Sequence, residues 1–235
     1  MPTTTAKTAY LAGVRDGLPF ILVAAPFAML FGVVAAEAGL SLAQAMGFSI
    51  VVIAGAAQFA ALQLMVEDAA LGLILLAALA VNLRMAMYSA ALVPFLGAAP
   101  FWQRALVAYN LFDQTYIAAV ARYEARPEMT VPERVAYYFG VSSPIVPFWF
   151  VMTAVGALLG SAIPPAYALD FALPITFLAM IGPMLRTVAH VAAALTSMVV
   201  GLVLVGLPSG LGLLIAAGCA MTVGVIVEMR LEAKA

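Results

Sequence analysis

Apolar residues run through this chain in stretches too long for a soluble core. The first extends from Leu18 to Ala36, and seven more cover about 46–66, 70–92, 104–121, 135–160, 169–185, 187–207 and 211–228. A membrane-crossing helix needs about 20 such residues, so each stretch reads as a span and the fold class as an all-α, polytopic membrane helix bundle. Composition agrees: 66% of residues are apolar, 9% are charged and the mean hydropathy is +1.13. A soluble domain carries about 25% charge and 45–50% apolar residues. Eight spans of about 22 residues use about 176 positions. What remains of the 235 residues serves termini and tight loops. The chain is therefore one transmembrane domain over 1–235, with no room for a separate catalytic, nucleotide-binding or DNA-binding domain.

Basic residues orient the bundle, because cytoplasmic loops collect Lys and Arg. With eight crossings and the N-terminus inside, Lys7, Arg15, Arg122, Arg126, Arg134, Arg186, Arg230 and Lys234 lie on the inner side. Arg104 stands alone outside and Arg84 lies within a span. Both termini are then cytoplasmic. The fourth run is the weakest, since Asn110, Asp113 and Gln114 interrupt it. A faint duplication also shows: Pro19, Pro26 and Gly32 in the first run echo Pro144, Pro147 and Gly156 in the fifth, and Gly55 echoes Gly182. A 4+4 repeat about an axis along the membrane normal gives this pattern; so do ordinary kinks, as Gly and Pro are common in membrane helices.

Function is sought where polarity is expensive. An ionisable side chain at the bilayer centre costs about 2.5–3.5 kcal/mol on insertion scales and usually faces a partner or a watery cavity. Asn82 and Arg84 lie deep in the third run, and Asn110, Asp113 and Gln114 share one helical face in the fourth. Arg84 and Asp113 are the obvious pair, serving either as a structural ion pair or as a substrate and coupling site. Gln58, after Gly55-Ala56-Ala57, suits helix packing and substrate contact equally. Pro26, Pro144 and Pro147 free backbone carbonyls, a resource that transporters with broken helices use. His190 reads as a boundary residue. Among motifs, there is no P-loop for ATP hydrolysis. The single cysteine, Cys219, and single histidine supply neither a disulfide framework nor a Cys/His metal site. No cofactor or metal is expected, and the chain is not expected to be an enzyme.

At these same residues the sequence resembles the AzlC family of branched-chain amino-acid exporters. The resemblance rests on Gly17-Leu18-Pro19, Phe31-Gly32, Ala54-Gly55-Ala56-Ala57-Gln58-Phe59, Asn82-Leu83-Arg84, Tyr88-Ser89 and Asp113. It is strong over the first half and otherwise follows hydrophobic layout. Two departures remove titratable groups: Met85 stands where the family commonly has His, and Phe112-Asp113-Gln114 where it has Thr-Asp-Glu. The resemblance implies export of hydrophobic amino acids from the cytoplasm across the inner membrane, with a small, separately encoded AzlD-like membrane partner. With no ATP site, proton-motive force is the expected driver. The substrate's carboxylate would meet Arg84 or a half-helix N-terminus, its ammonium Asp113, with Gln58 and Asn82 completing the polar shell. A non-transporting assembly subunit and a passive small-solute channel are the alternatives. A homo-oligomer is compatible with the sequence; nucleic-acid binding is not expected.

Overall fold

The computed structural model describes residues 5–162, 185, 187–206 and 211–232, and all regular structure among them is helical. The chain divides into two compact units, Met1–Leu62 with Ala78–Ile163, and Gln63–Ala77 with Pro164–Ala235. The all-α bundle expected from the apolar runs is what forms.

Three described helices are long and apolar enough to cross a membrane. The first is a rod made of α1 (Ala6–Gly17), a short 3-10 turn at Leu18–Phe20 carrying Pro19, and α2 (Ile21–Glu37). Thr5 starts it as half of a capping box with Thr8. The others are α5 (Leu71–Leu96) and α8 (Val131–Ala162). Prolines lie inside these helices at Pro26, Pro94, Pro144 and Pro147. Pro144 has no N–H to give the Gly140 carbonyl; the Ser143 hydroxyl donates to that carbonyl instead, at 3.0 Å. The freed group is thus satisfied within its own helix.

A glycine seam joins the rod to α8. Gly13 packs on the backbone of Tyr137 and Gly140, Gly32 on Thr153 and Gly156, and Gly156 on Met29. A Cβ added at Gly160 would stand 2.7 Å from the Val33 carbonyl oxygen. Each partner lies further along α8 as the rod advances, so the two helices run parallel. Without a hydrophobic drive between helices in lipid, close backbone approach at small residues is what holds such pairs. The residues suggesting a duplication, Gly32 and Gly156, therefore meet across this seam; Gly182 lies outside the described residues.

The runs 46–66 and 104–121, expected to cross, turn back instead. The first comprises α3 (Leu42–Val51) and α4 (Gly55–Val66). Gln58 on α4 bonds Ser49 on α3, and Phe31 of the rod touches both Phe48 and Phe59, each at 5.6 Å between ring centroids. A straight path would put Ser49 and Gln58 beyond side-chain reach. The second comprises α6 (Phe101–Tyr109) and α7 (Asp113–Ala125). Here α7 runs alongside α5, with Tyr116 stacked on Tyr88 and Tyr123 against Phe95. α6 lies antiparallel to the last turns of α5, across a cleft whose walls run from Ser89 and Leu111 to Gly97 and Phe101. Both ends of this hairpin thus sit at the C-terminal end of α5. The turns are local: Val52 and Phe112 are extended, and Thr115 caps the start of α7 through the Phe112 N–H. Length and hydropathy register none of this, which is why the eight-crossing count does not carry over to the first unit.

The hairpins also rearrange the charges. The C-terminal end of α5 meets the start of α8, where Arg134 lies over the Phe95 and Tyr123 rings and donates to the Pro127 carbonyl at 2.8 Å. Asp16 of the rod accepts from Tyr137 at 3.0 Å, and Arg122 stands over the Tyr137 ring. Arg104, expected alone on the far side, is near the start of α6 and joins this end. Lys7, Arg15, Arg104, Arg122, Arg126 and Arg134 therefore share one end of the first unit, leaving Arg84 as its one basic residue elsewhere.

In the second unit α9 (Val188–Val203) and α10 (Leu211–Glu232) pack antiparallel. Gly224 faces Ala193 and Ala189, while Gly201 faces Ala216. Thr187 caps α9 by accepting from the His190 backbone N–H.

Candidate functional site

The two hairpins approach from opposite ends and bring four helix termini partway along the long helices of the first unit, with Val51 and Tyr109 exposed. Val51 ends α3, Gly55 starts α4, Tyr109 ends α6 and Asp113 starts α7. One hydrogen bond ties the tips: the Tyr109 hydroxyl donates to the Ile50 carbonyl at 2.6 Å. That carbonyl belongs to the last turn of α3, where helix geometry leaves acceptors without intrahelical partners. Gly55 is required at its tip, because an added Cβ would collide with the Phe27 ring and lie 2.8 Å from Trp149.

Arg84 and Asp113, paired by expectation, are joined. The Arg84 guanidinium lies 3.0 Å from Asp113, with side chains 30% and 35% exposed, so the pair borders open space. Arg84 comes from the middle of α5. Asp113 opens α7, where the positive end of the helix dipole favours a carboxylate. The Tyr88 hydroxyl donates to the other Asp113 oxygen at 2.9 Å, and its ring stacks on Tyr116 at 4.1 Å. Tyr88 follows Arg84 by one helical turn. That i,i+4 spacing places both on one face and was the available sign of its role.

The other expected residues divide. Asn110 lies at the hairpin turn: its amide donates to the Leu106 carbonyl, and its backbone carbonyl accepts from Thr115 and Tyr138. Asn82 is half-buried beside Arg84 in sequence, and its side-chain oxygen is buried without a partner among the described residues. Gln114 is half-buried and makes no side-chain hydrogen bond among the described residues. Gln58 is fully buried away from the pair; its amide donates to Ser49, whose hydroxyl lies 3.2 Å from that of Thr153. Ser49, Thr153, Thr115 and Tyr138 are additions; Ser49 and Thr153 are each a lone hydroxyl within an apolar run.

Among the described residues the buried side-chain polar atoms without partners include Gln58 Oε1, Asn82 Oδ1, Arg84 Nε and Trp149 Nε1, along with Arg122 Nε and Arg134 Nε at the basic end. Such orphans are uncommon in folded proteins and ask for water, an ion or a ligand. Among the described residues no cluster of His, Cys, Asp or Glu could hold a metal. The arrangement offers a cation and an anion side by side, in reach of helix termini that carry partial charges of both signs.

The chain is 27% identical to the inner membrane protein YgaZ of Escherichia coli (strain K12) over 218 residues, covering 89% of this chain and 88% of that protein. That relative and the apolar helices place the chain in a membrane. No solved structure matches it. The family model described as AzlC protein matches residues 19–163, well over half the chain, and so takes in both hairpins and the Arg84–Asp113 pair: the chain belongs to the AzlC family.

Proposed function

We propose that this protein is a secondary active transporter that exports branched-chain or other hydrophobic amino acids across the cytoplasmic membrane, driven by proton-motive force. The observation that carries the reading is the Arg84–Asp113 pair, 3.0 Å apart at a hairpin tip and one-third exposed. An amino-acid zwitterion bears the same two charges, so it can exchange partners with the pair. Its carboxylate takes the Arg84 guanidinium or the start of α4, and its ammonium takes Asp113. A proton on Asp113 cancels the pair and frees Arg84, which gives a route for coupling. The substrate side chain would lie among apolar residues such as Met85, which packs against the core.

The positive-inside rule assigns the end bearing Lys7, Arg15, Arg104, Arg122, Arg126 and Arg134 to the cytoplasm, and the N-terminus with it. Arg230 and Lys234 favour the same side for the C-terminus. The small AzlD-like partner belongs to this proposal. Leu79, Leu83 and Met87 form an exposed stripe on α5, each more than 60% exposed. It favours, as a second reading, a subunit whose part is assembly. Flux through the purified chain reconstituted alone separates the two readings.

The direct test is Asp113→Asn in cells loaded with leucine or valine, with and without a protonophore. Export should be abolished while membrane-inserted protein persists. Unchanged export by the variant removes Asp113 from the mechanism, and equal leucine retention with and without the wild-type protein rejects the transport reading.

A further inference from the structure

The cleft between α5 and α6 takes no part in the proposed transport site. It is a cavity of about 610 Å³ between the last turns of α5, the connecting residues 97–100 and α6. Its walls are apolar along their length, from Leu96 and Ala99 at the basic end to Leu92, Val107 and Leu111 deeper in. Arg104 is the only charged residue in the lining. It is exposed, and its guanidinium makes no hydrogen bond or ion pair among the described residues. Val93 and Phe101, 61% and 77% exposed, flank the cleft, so it opens to the side.

We infer that this cleft binds an anionic phospholipid of the leaflet at the basic end, with the phosphate on Arg104 and an acyl chain along the apolar walls. Charge complementarity selects the occupant. A hydrophobic amino acid carries an ammonium next to its carboxylate, and the lining holds no acidic residue to receive it. A zwitterionic phospholipid likewise brings a cation with nowhere to pair. An amphiphile with a net negative head and a long tail matches both features. The nine residues of α6 rise about 14 Å, which suits an acyl segment better than a leucine side chain. Five further basic residues of the first unit lie at the same end, and such an end attracts an anionic surface. The inference takes from the transport proposal only that the basic end faces the inner leaflet. It is read out by binding, so it stands or falls separately from export.

The test adds dioleoylphosphatidylglycerol or dioleoylphosphatidylcholine, at equal concentration, to the full chain purified in detergent. Bound lipid is counted by native mass spectrometry and the Tm is measured. Wild type should prefer phosphatidylglycerol by about fivefold, the effect of roughly one basic residue at an anionic surface, and its Tm should rise with that lipid alone. Arg104→Gln should lose the preference and Arg104→Lys keep it. Ala108→Trp, which fills the cleft, should lower retention of either lipid. Equal binding of the two lipids by wild type, or an undiminished preference in Arg104→Gln, overturns the inference. So does an equal Tm rise with inorganic phosphate, which would make the site one for free anions, or with leucine, which would make it a substrate site.

Discussion

Asp113 has three polar neighbours: the Arg84 guanidinium, the Tyr88 hydroxyl and the first turn of α7. Hydrogen bonds to charged groups are worth about 1.5–3 kcal/mol when buried, and this group is one-third exposed, so the lower end applies. Tyr88→Phe keeps the ring stacked on Tyr116 and removes a single bond. Export should therefore slow by about tenfold or less at unchanged protein level, and an unaltered rate would place Tyr88 outside the site. The pair itself was legible in the sequence, because two opposite charges within apolar runs have few other ways to be satisfied. Asn110 was legible only as a polar residue. Its backbone carbonyl, not its side chain, is what Thr115 and Tyr138 use, and no side-chain inventory shows that.

The long helices are held by shape. Along the rod and α8, Gly13, Gly17, Gly32, Gly140, Gly156 and Gly160 sit where one backbone meets the other, and an added side chain there has no empty space to enter. Gly156→Leu should cost at least about 1–3 kcal/mol from overpacking, seen as a lower Tm in detergent and a lower yield of folded protein. Gly47→Leu is the control, since nothing lies within 4 Å of its added Cβ; equal effects of the two would mean that the seam does not hold the helices. The repeated Pro and Gly positions were read as a possible duplication or as ordinary kinks, not as the seam that Gly32 and Gly156 form. The hairpins were not foreshadowed, because a re-entrant segment and a crossing segment have the same apolar composition. The distinguishing marks were small: the extended Val52 before Ala54-Gly55, and Thr115 three residues after Phe112.

For the whole molecule, the hairpins settle which connections share a side. Single cysteines introduced in a Cys219→Ser background at Gly39, Ala98 and Ala125 report this to a membrane-impermeant maleimide. Ala98 and Ala125 should label from one face and Gly39 from the other. If 46–66 and 104–121 both crossed, Ala98 would label with Gly39 instead. The charge pattern anticipates the result: two hairpins gather every basic residue of the first unit except Arg84 at one end, whereas eight crossings strand Arg104. Eight crossings were preferred because turning back the fourth run alone puts Arg104, Arg122, Arg126 and Arg134 outside; turning back the second run as well returns them to the inner side.

The seam bears on how the protein is made. Gly13 emerges from the ribosome 127 residues ahead of Gly140, against which it finally packs. At about 5–20 residues per second, the N-terminal rod waits roughly 6–25 s in the bilayer for its mate. Throughout that interval its glycine groove faces lipid, or a chaperone, or another nascent copy. Chains truncated before α8 should therefore be the ones that the cell's membrane proteases remove first.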